Sequence, residues 1–313
     1  MNNKGLWHEI KKYKIAYYFV LPTFLAMLIL HIFPVFQAFY MSFLKLNQYT
    51  ISQYLLAPFA GFDNYYQILF NADSPIRIGL LESVRNTVIY TILVTFGTTA
   101  FGMIIALMLN RKMRGQAIFR ALFLFPWIVP TYVTGLLWGF MWQKEIGIVN
   151  LVLVDWLKLL PSKPFWLLGP NTIWAIIIPT IWRYWPLSML MLLAGMQSIP
   201  EELYEAAEID GASGWTKFWS ITFPMLKPVW AILLLFGLIY NTYSFNIVIM
   251  MFGFGAGFPG EWGDLMMTNI FRNSFQQWAF GIGAAASVLL LIVMIIIVNF
   301  WFKFYQKAEE ESR

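Results

Sequence analysis

Six stretches of this chain are apolar enough, and long enough, to cross a lipid bilayer, and this constrains the fold before any motif does. A hydrocarbon core about 30 Å thick needs roughly 20 apolar residues at 1.5 Å of helical rise each. Such runs lie at Ile15–Phe43, Thr87–Leu109, Ile118–Trp142, Thr172–Met196, Val229–Met251 and Phe280–Phe302. Only 12% of the residues are charged, about half of what a soluble domain carries. The expected fold is all-α: a polytopic membrane protein with about six transmembrane helices in one domain spanning residues 1–313. Lys11, Lys12 and Lys14 before the first run imitate the start of a signal peptide. The run is too long for one and lacks a small-residue cleavage site, so it is expected to remain as an anchor.

Lys and Arg favour the cytoplasmic ends of membrane helices, and their distribution sets the orientation. An even number of spans puts both termini on one side. That side holds Lys4, Lys11, Lys12 and Lys14, then Arg111, Lys112, Arg114 and Arg120, then Lys217 and Lys227, then Lys303, Lys307 and Arg313. The other holds Lys45, Arg77, Lys144, Lys158, Lys163 and Arg272. Both termini are therefore expected in the cytoplasm, with the connections near 110–117 and 197–228. The connections near 44–86, 143–171 and 252–279 face outward. Their content, as in "GFDNYYQILF" and "SKPFWLLGPN", is too aromatic for free linkers and predicts folding against the membrane or a partner. The end "KAEEESR" reads as a solvated tail.

The chemistry available is narrow. There is no Cys, and the two His, His8 and His31, both lie near the N-terminus, so neither a metal site nor a thiol nucleophile is expected. An intramembrane protease or a membrane glycosyltransferase would need paired carboxylates, a metal cluster or a nucleophile with its base. No such constellation lies at membrane depth, and no catalytic residue is assigned.

One polar stretch interrupts the apolar pattern, "EAAEIDGASGWTKFWSITFP" from Glu205 to Pro224. Upstream, Ser198-Ile199-Pro200-Glu201 has the spacing of a capping box, which predicts a helix start there. Gly211 is placed to end that helix in the left-handed conformation. Leu203, Ala206 and Ala207 recur at i, i+3, i+4, and Glu201, Glu205 and Glu208 form an acidic stripe. A second helix is expected from Ser213, with Trp215, Phe218, Trp219 and Thr222 on one side and Pro224 as its stop. On these residues alone, an amphipathic connector lying on the membrane surface is the simpler reading. Against it stands the sign of the stripe, since anionic headgroups favour Lys or Arg.

Glu205-Ala206-Ala207, then Gly211 after three residues, then Ile221, Phe223 and Pro224, resemble the EAA loop of the membrane subunits of bacterial binding-protein-dependent ABC importers. Phe223 stands where Leu is usual. The segment is most similar to the carbohydrate-uptake group, and so are "GFDNYYQIL", "FRALFLFPWIVP" and "FGIGAAASVLLL" elsewhere in the chain. The region "GFGAGFPGEWG" departs from the Gly-Gly-Pro expected after the fifth span.

The resemblance implies a permease subunit in a bacterial plasma (inner) membrane, working by alternating access on a sugar or oligosaccharide. It implies that segment 197–228 is a cytoplasmic coupling loop whose first helix docks on an ATPase. In that helix Ala206 and Ala207 would allow close approach, Gly211 would make the turn, and Glu205 and Asp210 would make polar contacts with the ATPase or brace the turn. The implied partners are a second permease subunit, two ATPase subunits holding ATP and Mg, an extracytoplasmic solute-binding protein and membrane lipid, with no nucleic acid. No cofactor is expected in this chain, which has no phosphate loop and no Gly-Lys pair at all. A permease of the same family for a non-sugar solute is one alternative. A gradient-driven secondary transporter is another, against which the spans hold no Asp or Glu apart from Glu82 at an edge.

Two clusters are candidates for the substrate path. Arg183, Tyr184 and Trp185 in "IWRYWPL" either line it or form an interfacial aromatic belt with a snorkelling Arg. Asn241, Tyr243 and Asn246 in "YNTYSFN" either meet substrate or serve hydrogen bonding between helices.

Overall fold

The computed structural model describes residues 13–111, 113–253 and 257–310, with side chains to residue 306. His8, Lys4, Lys11, Lys12, Lys112, Lys307, Arg313, the tail after residue 306 and part of the loop "GFGAGFPGEWG" lie outside what is described. The chain divides into two compact units: Met1–Pro75 with Asn273–Ile292, and Ile76–Arg272 with Val293–Arg313.

The helices are α1 (Lys14–Met41), α2 (Asp63–Leu69), α3 (Leu80–Leu109), α4 (Gln116–Ile128), α5 (Thr131–Met141), α6 (Thr172–Gln197), α7 (Glu201–Ile209), α8 (Gly214–Met225), α9 (Lys227–Thr242), α10 (Asn246–Met251), α11 (Met266–Phe271) and α12 (Phe280–Glu310). Among the described residues four helices are long and apolar enough to cross a membrane: α1, α3, α6 and α12. The pairs α4–α5 and α8–α9 reach the same standard together but are bent by 86° and 66°.

In the first unit α1 buries none of its residues and carries a π turn at Leu28–Ile32 just before Pro34. Its continuation is held by a buried amide. Asn64 Nδ2, on α2, donates to the carbonyls of Ser42 (2.8 Å) and Leu44 (2.9 Å). Phe43 packs on Phe59, Phe62 and Tyr65, and the start of α12 joins through the Gly281 N–H to the Leu46 carbonyl. The aromatic connection "GFDNYYQILF" is thus a folded element.

The second unit is organised on α3 and α6, which pack along their lengths. Small residues allow this. A Cβ on Gly102 would stand 2.8 Å from the Met189 backbone nitrogen, so only Gly lets the two backbones approach so closely. α9 packs on α3, and α10 on α5. Two apolar clusters fill the unit, one around Tyr90, Ile176 and Val248 and another around Met189, Leu192 and Leu226.

Two runs read as continuous spans are divided. Ile118–Trp142 breaks at Val129 and Pro130, where ψ of Val129 swings to 126° and the proline offers no N–H. Val229–Met251 breaks after Thr242, with Phe245 at φ −142° and ψ −55°, and resumes at Asn246. α9 alone gives about 24 Å of helix, short of the hydrocarbon thickness.

Candidate functional site

The polar segment forms two helices joined by a tight turn. α7 begins at Glu201 without a side-chain cap. The Ser198 hydroxyl instead donates backward to the Gly195 carbonyl at 2.7 Å, closing the end of α6. The capping box expected at Ser198 is therefore not made, because Pro200 holds an extended ψ of 133° and Ser198 remains helical.

The end of α7 follows the sequence reading closely. Gly211 takes φ +75°, its N–H meets the Glu208 carbonyl (3.0 Å), and the Ala212 N–H meets the Ala207 carbonyl (2.8 Å). These two bonds are the Schellman closure, which requires a left-handed residue at that position. Ser213 Oγ then accepts from the Thr216 N–H at 3.2 Å to start α8. Lys217 Nζ reaches Glu208 at 2.6 Å across the turn. Pro224 does not stop α8. A π turn at Phe218–Thr222 absorbs it, and the chain leaves helical geometry at Leu226.

This hairpin keeps one side against the unit and leaves the other bare. Tyr204 is hydrogen-bonded to buried Thr222 (2.9 Å), and Phe218 packs against the second apolar cluster. Glu205, Ala206, Asp210 and Gly211 are exposed and Ala207 is half-buried. Ile209 is 88% exposed and Trp215 72%, apolar side chains left largely uncovered by the described residues.

The second feature is a cavity of about 420 Å³ at the α9–α10 break. Of the sequence candidates, Tyr184, Asn241, Tyr243 and Asn246 line it, while Arg183 and Trp185 do not belong to the lining. Arg183 turns to α4, donating to the carbonyls of Pro126, Trp127 (2.9 Å) and Val129. These are carbonyls that the break at Pro130 strips of helical partners, so Arg183 acts as a C-terminal cap supplied by another helix. Trp185 is 6% exposed and edge-on to Phe101 and Phe123 in the second apolar cluster.

The remaining lining residues extend two of these candidates along their helices. From α6, Leu187, Ser188 and Met191 follow Tyr184 at i+3, i+4 and i+7, a stripe that could have singled them out in the sequence. From α9 come Leu233, Phe236, Gly237, Tyr240 and Asn241 in the same rhythm, and from α5 comes Thr131. The break itself is tied down. Ser244 Oγ is 2.8 Å from the Tyr90 hydroxyl, which also meets Thr180 Oγ1 at 2.8 Å, and Asn241 Nδ2 donates to Thr95 (3.0 Å).

At the opposite end of α3 from the hairpin, Asn86 Nδ2 donates to the carbonyls of Glu261 (2.6 Å) and Asp264 (3.1 Å). Asp264 is buried and paired with Arg272 at 2.7 Å. These bonds fix the described part of the connection where the sequence departs from the family pattern.

Residues 98–310 match a family model described as the binding-protein-dependent transport system inner membrane component. The chain belongs to this family. Among its relatives, the trehalose/maltose transport system permease protein MalF of Thermococcus litoralis is 32% identical over 290 residues, covering 92% of each chain. The sulfoquinovosyl glycerol transport system permease protein SmoG of Agrobacterium fabrum is 32% identical, covering 90% of this chain and 87% of its own. The sn-glycerol-3-phosphate transport system permease protein UgpA of the same organism is 28% identical over 94% and 95%. A chain from the crystal structure of a bacterial ABC transporter involved in the import of the acidic polysaccharide alginate superposes with a TM-score of 0.79, at 23% identity and over 96% and 98% of the two chains. As a member of this inner membrane family, the protein has the all-α, polytopic fold that its apolar runs predict, and the resemblance carried by its EAA segment holds.

Proposed function

We propose that this protein is the permease subunit of an ATP-driven importer that moves a sugar or oligosaccharide across the membrane by alternating access. The observation that carries the proposal is the cavity: phenol, amide and hydroxyl groups gathered where α9 gives way to α10. Non-helical backbone at membrane depth is tolerated where it lines an aqueous cavity or is buried in protein. Aromatic faces beside neutral hydrogen-bonding groups suit the C–H surfaces and hydroxyls of a sugar. Relatives named for trehalose/maltose and sulfoquinovosyl glycerol support the same cargo class.

In this reading the solute arrives on an extracytoplasmic binding protein, as the family description implies. A second permease subunit completes the path. Two ATPase subunits, holding ATP and Mg, drive it, while this chain is non-catalytic. Both termini lie in the cytoplasm of a bacterial cell. The α7–α8 hairpin then faces the ATPase, with α7 as the coupling helix. Its exposed Glu205, Ala206, Ile209 and Asp210 offer a docking face, and the Gly211 closure keeps that face in a fixed attitude. Tyr184, Asn241, Tyr243 and Asn246 belong to the cargo path, and Arg183 shapes it from behind by holding the end of α4.

Reconstitution tests this reading. The chain is assembled in proteoliposomes with its partner ATPase, second permease and binding protein, and labelled sugars are followed. Uptake is expected only with ATP and binding protein together. Uptake driven by an ion gradient with the ATPase omitted would overturn the proposal in favour of a secondary transporter.

A further inference from the structure

Resting on the sugar-import reading, we propose that the cavity selects for uncharged sugars and against sugar acids and sugar phosphates. The relatives leave this open, because their names include both trehalose/maltose and glycerol-3-phosphate. The side chains of this chain do not leave it open.

Among the described residues no Asp, Glu, Lys, Arg or His lines the cavity. Its groups free of side-chain hydrogen bonds within the described residues are the phenols of Tyr184, Tyr240 and Tyr243, the Asn246 amide and the hydroxyls of Ser188 and Thr131. Each can both donate and accept, which matches sugar hydroxyls, themselves donors and acceptors. A phosphate or carboxylate asks for donors alone and a compensating charge, and moving an ion from water into a site without one is strongly unfavourable.

The cation best placed to supply that charge is Arg183, next to Tyr184, and it is committed elsewhere. Its Nη1 donates to the carbonyls of Pro126, Trp127 and Val129, and the guanidinium lies over the Tyr184 ring, 5.2 Å from its centroid. Turning it toward the cavity would strip those carbonyls of their donor. Helix ends bring only partial charges, and of mixed sign. α5 and the six-residue α10 bring N-terminal ends to the cavity at Thr131 and Asn246, and the longer α9 brings its C-terminal, carbonyl end at Asn241.

The test uses the full chain in lipid nanodiscs and ligand-observed saturation-transfer NMR, which reads weak binding without the binding protein's own selectivity. Matched pairs are compared: trehalose against trehalose 6-phosphate, and maltose against maltobionate. The uncharged member is expected to bind at least about tenfold more tightly. Asn246→Lys, at an exposed lining position, is expected to narrow or reverse that preference. Equal or tighter binding of the charged members to the unaltered chain would overturn the charge selection while leaving sugar import standing. No signal from any of the four sugars would remove the sugar reading, and this inference with it.

Discussion

Arg183, near the middle of α6, donates to the main-chain carbonyl of Trp127 at 2.9 Å, and its neighbouring bonds to Pro126 and Val129 complete the closure of α4 at an 86° bend. A charge at membrane depth thereby meets backbone acceptors that a broken helix would otherwise leave bare. Each partner lowers the other's cost, while Arg183 Nε stays buried without a hydrogen-bond partner among the described residues.

Arg183→Ala should therefore destabilise the protein by about 2 kcal/mol, the scale for a charged hydrogen bond lost together with acceptors left unpaired. Arg183→Lys should recover part of this, since an ammonium keeps the charge and three donors but ends on a shorter side chain. Thermal unfolding of the purified chain in detergent measures both. Wild-type stability in the Ala variant would mean that the bend is held by packing alone.

The bend also marks where sequence reading ran out. Pro130 was visible, but so were Pro179 and Pro186, which sit inside an unbroken α6. What separates them is tertiary: at Pro130 a donor from another helix takes up the freed carbonyls, making the broken form tolerable. Trp185 illustrates the same limit. It adjoins Tyr184 in sequence, yet a helix turns about 100° per residue, so one faces the cavity and the other the core. Gly211 was legible because its requirement is local. A left-handed residue closing a helix is written in a few adjacent positions, as was the start of α8 at Ser213.

That local requirement makes Gly211 a clean probe of coupling. Gly211→Ala places a Cβ in the left-handed region, at a cost of roughly 1–2 kcal/mol, but nothing lies within 4 Å of it to clash. Gly211→Pro goes further, removing the N–H that meets the Glu208 carbonyl and forcing a negative φ. The Pro variant should insert normally yet lose uptake while ATP hydrolysis persists, with the Ala variant in between. Ala207→Asp, which adds a fifth acid to a helix that already holds Glu201, Glu202, Glu205 and Glu208, should weaken ATPase capture in a pull-down. Wild-type transport in both Gly211→Pro and Ala207→Asp would exclude α7 as the coupling element.

Gly102 tests the contact between α3 and α6. In Gly102→Ala the new methyl meets the Met189 backbone nitrogen and Ser188 Cβ, each at 2.8 Å, so a backbone has to move. Overpacking of this kind costs about 1–3 kcal/mol. Ser188 also lines the cavity, so sugar affinity should fall along with the melting temperature. A variant that melts like the wild type would show that the helices separate at no cost.

Tyr90 carries the last prediction. The side chain is fully buried, and its hydroxyl stands between Thr180 on α6 and Ser244 in the break, 2.8 Å from each. Thr180 has a second partner in the Ile176 carbonyl at 2.8 Å, whereas Tyr90 is the one side-chain partner of Ser244 among the described residues. Tyr90→Phe keeps the ring and its packing but releases the break from α6. The loss should be about 1–2 kcal/mol, and amide exchange across Tyr243–Asn246 should accelerate while that of α6 changes little. If exchange at the break stays at the wild-type rate, the non-helical turn is held by the Asn241–Thr95 bond and packing, and the Tyr90 hydroxyl has no part in it.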